Sequence, residues 1–326
     1  MVHQVEMVSL DQLVSSDHYY RKLRALVDFN KLLKPMERDL TSHLGPNGYG
    51  LTTLFCTLLL QFTEDLSDRE LERYLQENNA AKWFCGLGLS AKSPSFTIFG
   101  KFRKRIGTSR LSKCFQQVNK SLAGDGHLKN LFTFVDSSHL VAKNQLWEER
   151  DKAIAKKYDR LNNEVLPQVA VDKQARIGCK GKKKYWHGYK KHVSVDMQSG
   201  MIKKIAVTPA NVPDGQALAR VCPRQSSVYA DKGYCGASAG EIMAQRACHN
   251  AAIKRNNMRD KDKRRDRWFS KLRAPYERVF TFLSQRCRYR GVVKNQFHML
   301  IEALCFNLKR VISLQALGAI PIAYAL

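Results

Sequence analysis

The chain has 326 residues, 44% of them hydrophobic, and carries 55 Lys and Arg against 29 Asp and Glu for a formal charge of +26. That length holds one large domain or two ordinary ones with a sizeable core, and the charge calls for an anionic partner, most simply nucleic acid. The nine cysteines contain no Cys-x-x-Cys pair, which excludes a zinc ribbon or redox motif, and an odd count without a signal peptide reads as reduced thiols in a cytoplasmic protein. The apolar runs 51–62 and 311–326 fall short of a membrane span, and Pro321 interrupts the second.

The excess charge is uneven: residues 1–110 hold 15 basic and 12 acidic side chains, which leaves 40 and 17 for the rest. The polyanion therefore meets chiefly the second part. From Asp17 onward helical spacing dominates, and Leu51–Phe62 is apolar enough for a buried helix. Ser67-Asp-Arg-Glu70 reads as a capping box ahead of Leu71, Tyr74 and Leu75, and a short helix over Ala80–Cys85 ends at Gly86 or Gly88. The next helix, Phe96–Ile106, interleaves Phe96, Phe99 and Phe102 with Lys101, Arg103, Lys104 and Arg105. Helix, glycine turn and basic helix fit a helix-turn-helix laid on DNA, and equally a bundle with a solvated basic face.

A glycine-rich break at 123–126 separates this helical part, 1–122, from a second domain, 127–314, with a tail at 315–326. Leu131–Asp136 reads as a strand ending in a carboxylate; the charged stretch that follows, helix-like over Trp147–Leu161, reads as a surface insertion or loop through Lys184. A hairpin is expected from Gly188–Asp196 and Ile202–Thr208 around Gln198–Gly200, then a helix over Gln216–Val221. Ser227–Ala230 is a strand that delivers Asp231 into a glycine-punctuated turn. A helix around Ala239–Ala247 and a strand at Ala251–Lys254 follow, then a basic stretch to Arg273. Pro275 suits the first turn of a helix carrying Tyr276, Val279, Phe280, Leu283 and Cys287, and a last helix runs from about Asn295 to Leu314.

Three antiparallel-type strands followed by alternating helix and strand is the order of a ribonuclease H-like sheet. The expected fold class is therefore α+β, an N-terminal all-α helical domain followed by a ribonuclease H-like α/β catalytic domain with a mixed sheet. In that order Asp136 and Asp231, 95 positions apart, lie side by side on neighbouring strands. An isolated turn Asp is ordinarily solvated; two at one sheet edge, joined by Glu277 from the downstream helix, would hold divalent metal ions for in-line phosphoryl transfer. Glu241 is the nearest rival to Glu277. Asp214 and Asp196 read first as a helix cap and a hairpin residue, His192 as a structural strand residue, and His139 as a candidate substrate contact.

The chain resembles the DDE transposases of bacterial insertion sequences, specifically the insertion sequence 5 family and its relatives. The likeness rests on Phe134-Val-Asp136-Ser-Ser, Gly188-Tyr-Lys-x-His192-Val-x-Val-Asp196, Val207-Thr-Pro-Ala-Asn-Val-Pro-Asp214, Tyr229-Ala-Asp231-Lys-Gly-Tyr234 and Arg273-x-x-x-Glu277-Arg-Val-Phe280. Ser67-Asp-Arg-Glu-Leu-Glu, Phe102-Arg103 and Lys294-Asn295…Asn307-Leu-Lys309-Arg310 extend it across most of the chain. The resemblance implies Asp136, Asp231 and Glu277 as the metal-binding triad, with two Mg²⁺ ions and Mn²⁺ as a substitute. It implies an enzyme that binds double-stranded DNA at terminal inverted repeats and at target DNA, cuts and rejoins strands, and pairs ends as a homodimer. Relatives place a Tyr and a Lys where this chain has Ser270 and Ser284; Arg288, eleven residues after Glu277, returns to the same helix face and is expected to substitute for that Lys. Phosphate contacts are expected from Lys182, Lys183, Lys184, Arg264, Arg265, Arg267, Arg273 and Arg288, and contacts to the scissile strand from Lys232 and Tyr234. Trp268 either stacks on a base or joins the core. The rival readings are a transposase-derived DNA-binding protein that no longer cuts and a ribonuclease H-like nuclease without strand transfer.

Overall fold

The computed structural model describes residues 7–40, 48–124, 126, 128, 131–144, 146–181 and 184–318. They form two compact units, one drawing on residues up to Ser121 and from Asn307 onward, the other on Leu122–Phe306.

The first unit begins with α1 (Tyr19–Leu26), α2 (Phe29–Leu33), α3 (Glu37–Leu40) and α4 (Leu51–Thr63). Leu54 to Phe62 are all buried, which explains why α4 is apolar around its circumference instead of striped. Phe29, Phe55 and Phe84 meet in its core, and the Arg24 guanidinium donates to the Phe84 carbonyl at 2.6 and 2.9 Å. The capping box forms as expected on α5 (Asp68–Glu77): Ser67 Oγ accepts from the Glu70 amide, and Glu70 accepts from the Ser67 amide at 2.8 Å. α6 (Asn79–Cys85) stops at Gly86, whose φ of 70° serves a left-handed cap. α7 (Phe96–Gly124) is broken at Gly107, with φ 63° and ψ 171°, so its regular first segment ends at Ile106.

The second unit is built on a six-stranded sheet. Its elements are β1 (Phe132–Val141), α8 (Leu146–Ala155), α9 (Leu166–Val169), β2 (Arg176–Lys180), β3 (Lys184–Asp196), β4 (Ile202–Pro209), α10 (Asp214–Val221) and β5 (Ser227–Ala230). There follow α11 (Ala237–Gln245), β6 (His249–Ala252), α12 (Lys263–Arg273), a 3₁₀ turn over Ala274–Arg278, α13 (Val279–Phe282) and α14 (Val292–Ala316), which belongs to this unit up to Phe306 and to the first from Asn307. The strand order is β2-β3-β1-β5-β6, with β4 also on β3. β3 runs antiparallel to β1, β2 and β4, whereas β5 and β6 run parallel to β1 and to each other. β1 is thus central and the strand leading to Asp231 lies beside it, as expected.

One sheet face is packed by α10 and α11 through Val135, Val228, Ala230, Leu218, Val221 and Met243. Phe269 of α12 covers Tyr229 and Ala251 on β5 and β6. Gly188 is where β3 presses hardest on β1: a Cβ there would lie 2.3 Å from the Leu140 carbonyl oxygen. No helix among the described residues is long and apolar enough to cross a membrane.

Three expectations are corrected. β1 does not end at Asp136 but continues to Val141, because β3 goes on pairing with it after β5 has stopped at Val135↔Ala230. The stretch expected to be an insertion or loop contains α8, α9 and β2, the last bonded to the start of β3. The helix expected to run from Pro275 to Cys287 ends at Phe282, and Leu283 is extended. Its next turn is taken apart by stronger partners: Lys191 Nζ donates to the carbonyls of Leu283 at 2.7 Å and Ser284 at 2.9 Å, and the Ser284 amide goes to Glu302.

Candidate active site

β1 outruns β5 by one strand end, and that difference makes the site. Asp136 follows the last residue of β1 paired to β5, and Asp231 follows the last residue of β5 paired to β1. The two carboxylates therefore start from equivalent positions on parallel neighbours about 5 Å apart. Asp231 caps the 3₁₀ turn after it, accepting from the Gly233 amide, while Asp136 accepts from the Ser137 amide at 2.7 Å.

Arg273, at the end of α12, closes over Asp136. Its Nη2 lies 3.0 Å from Asp136 Oδ2 and 3.9 Å from Glu277 Oε1, and its guanidinium sits 5.5 Å from the centre of the Phe134 ring. Its side chain is 8% exposed, against 58% for Glu277. Burial pushes the Asp136 carboxyl up to about 6; Arg273 and the Ser137 amide pull it down, and the charge of Asp231 pushes it further up. Asp136 and Asp231 are thus electrostatic neighbours, and Glu277 meets Asp136 through one arginine. Among the described residues no three His, Cys, Asp or Glu side chains lie close enough together to hold a metal ion. Two anionic oxygen donors at one edge still suit a hard cation such as Mg²⁺, which commonly takes one or two carboxylates and fills its shell with water and phosphate oxygens.

The other carboxylates and histidines separate cleanly. Asp196 is a hairpin residue, accepting from the Ser199 amide and hydroxyl at 2.8 and 2.7 Å. His192 is buried with its Nε2 on Thr208 Oγ1, and burial holds its pKa down at about 4. His139 is exposed, as is Glu241 on α11. Asp214 opens α10 and pairs with Lys190 at 3.0 Å.

Several expected DNA contacts sit elsewhere than at the surface. Arg273 is buried on Asp136, which sets it apart from the phosphate-facing cations. The clue was its spacing, four residues before Glu277, which favours an ion pair along one chain segment. Tyr234 is 1% exposed, so its ring is part of the core beneath the site. Arg103 forks onto Asp68, with contacts of 2.8 and 2.6 Å and a third bond to Gln61. Arg288 lies beyond the end of α13, so the helical argument that returned it to the face of Glu277 does not apply.

Lys101, Lys104, Arg105, Lys184, Lys232, Arg264 and Arg267 are exposed, and Arg265 is half-buried. Trp268 is 55% exposed on α12 and so faces solvent instead of the core. Lys182 and Lys183 lie outside the described residues. Sequence reasoning missed Lys190 and Lys191, neighbours whose side chains leave β3 on opposite faces; only the fold shows that each is committed to a partner.

A family model described as "Transposase DDE domain" matches residues 128–308, and one described as "Transposase domain (DUF772)" matches residues 8–105. Among solved structures, the chain is similar to a cryo-EM structure of a piggyBac transposase synaptic complex with hairpin DNA, at 10% identity and a TM-score of 0.42, over 96% of this chain and 76% of that one.

Proposed function

The chain belongs to the family with a transposase DDE domain, and on that premise we propose that it is a DNA transposase of the insertion-sequence type, within the insertion sequence 5 group. It binds double-stranded DNA at the terminal inverted repeats of its element, cuts there, and joins the freed 3′-hydroxyl ends to target DNA, acting as a homodimer when two ends are paired. The observation that carries the catalytic part is the placement of Asp136 and Asp231 at the ends of paired segments on adjacent parallel strands of what we read as a ribonuclease H-like sheet.

Asp136 and Asp231 would hold Mg²⁺, or Mn²⁺ in its place, with Glu277 as a third acidic residue that acts once it is drawn toward them. Bound there, such ions would supply Lewis acidity for phosphoryl transfer. The chain's own groups do the rest. Arg273 opposes the effect of burial on the Asp136 carboxyl and orients it by direct contact. Lys180, whose charge reaches Asp136, and the exposed Lys184 and Lys232 draw phosphate oxygens to the same edge. Lys101, Lys104 and Arg105 in the helical unit, and Arg264, Arg265 and Arg267 on α12, bind the duplex backbone, with Trp268 stacking on an unpaired base.

The test is a cleavage assay on duplexes bearing the element's ends. Asp136→Asn is expected to abolish Mg²⁺-dependent cutting while duplex binding persists, and retained nicking in that variant would overturn the assignment. Joining of a 3′-hydroxyl end to target DNA separates this reading from a nuclease without strand transfer.

A further inference from the structure

The first turn of α10 and the turn after Asp231 are packed together through two glycines. A Cβ added at Gly233 would lie 3.4 Å from Asp214 Oδ2 and 3.5 Å from Asp231 Oδ1, and one added at Gly215 would lie 3.5 Å from the Gly233 carbonyl oxygen. The carboxylates of Asp214 and Asp231 therefore border one small volume. Asp231 has the Gly233 amide, and Asp214 has Lys190.

The Lys190–Asp214 pair is built into the fold. The ammonium is 3.0 Å from Asp214 Oδ1 and 2.9 Å from the Val212 carbonyl, and the two side chains are only 14% and 27% exposed. It ties β3, the strand that pairs with Asp136, to the residues that open α10. The hydroxyl of Tyr234 is buried beside Ser137, Asp214, Asp136 and Asp231. A buried hydroxyl among these side chains marks the floor of a polar centre that extends to Asp214.

We propose that Lys190 and Asp214 are positioning residues of the acidic centre: Asp214, held by Lys190, fixes the Lys232–Tyr234 turn that aims the Asp231 carboxylate. Neither touches the reacting atoms. Asp214→Asn weakens the hold of Lys190 and lets the turn relax; Lys190→Met leaves Asp214 uncompensated against Asp231. Partners that orient a metal-binding carboxylate typically matter by about 10- to 100-fold in metal affinity or activity.

The inference rests on the reading of Asp136 and Asp231 as ligands of a divalent cation, and the test keeps the two apart. Free Mn²⁺ is followed by electron paramagnetic resonance as the full-length chain is titrated without DNA, and cleavage of an end-bearing duplex is measured in parallel. Asp214→Asn and Lys190→Met are each expected to lower Mn²⁺ affinity and kcat by about tenfold or more, with the Kd for duplex unchanged. Lys190→Arg, which keeps the cation, should restore most of both, and the double variant should be no worse than the weaker single one. Mn²⁺ binding by Asp214→Asn and Lys190→Met within about twofold of wild type, while Asp136→Asn loses it, overturns the inference alone. Undiminished binding by Asp136→Asn removes the parent reading and this one with it. If Asp214→Asn does not fold, the contrast between Lys190→Arg and Lys190→Met decides, and equal loss in both overturns the proposal.

Discussion

Asp136→Asn is expected to stabilise the folded chain at neutral pH even as it abolishes cleavage, because the fold makes the charge at this position costly. Burial, countered by Arg273 and the Ser137 amide and reinforced by Asp231, lifts this carboxyl from 3.8 to about 6. A folded pKa above the unfolded one means that the native state binds the proton more tightly. The group's contribution to stability is complete below about pH 4 and is lost as the pH rises through about 6. With each unit worth about 1.4 kcal/mol, the rise of about two units costs the wild type about 3 kcal/mol at pH 8 that a neutral amide does not bear. The attraction of Arg273 is already inside that figure, since protonated Asp136 and Asn leave the guanidinium facing a neutral group alike. Urea unfolding of both chains in metal-free buffer, at steps from about pH 4 to 8, reads the difference, which should open from near zero to about 3 kcal/mol in favour of the variant. Coincident stabilities at the upper end, or a variant less stable there, would refute the burial argument.

Arg273→Gln removes the cation that offsets the burial of Asp136 and should lower stability in the same unfolding assay above about pH 6, by about 1.4 kcal/mol for each unit that the Asp136 carboxyl rises. It also removes the charge that lowers the Asp136 carboxyl, so the acid limb of the pH–rate profile should move to higher pH; an unmoved limb would show that Arg273 does not set that ionisation. Arg103→Ala should lower stability by about 1–2 kcal/mol by losing its bidentate contact with Asp68, whereas Lys101→Ala and Lys104→Ala should leave stability unchanged. Each of those two should instead reduce the salt dependence of duplex binding by about one phosphate contact, and an unaltered slope would take that lysine off the interface. Trp268→Ala should weaken binding to single-stranded flanks by about 1–3 kcal/mol with no change in thermal midpoint, because its ring is exposed; a drop in the midpoint would mark it as a packing residue.

Local pattern was enough wherever a residue's neighbours in sequence are also its partners in space. The capping box at Ser67, the stop of α6 at Gly86 and the break of α7 after Ile106 follow from bonds spanning a few residues. The hairpin of β3 and β4 follows from alternation around a short turn. The order of strand types was sufficient to put β1 beside β5 and so to single out Asp136 and Asp231.

What tertiary structure decided is where long side chains go. The extent of β1 past Asp136 depends on β3, far away in the sequence, and the loss of the helix after Phe282 depends on Lys191 and Glu302 capturing its backbone. Arg273, Tyr234 and Arg103 read alike as surface cations and a surface aromatic, because composition does not say which anion or cavity lies within reach. The fold commits Arg273 to Asp136 and Arg103 to Asp68, and buries Tyr234 under the carboxylates. Periodicity reports which face of an element is buried; the pairing of charges across elements exists only once those faces have met.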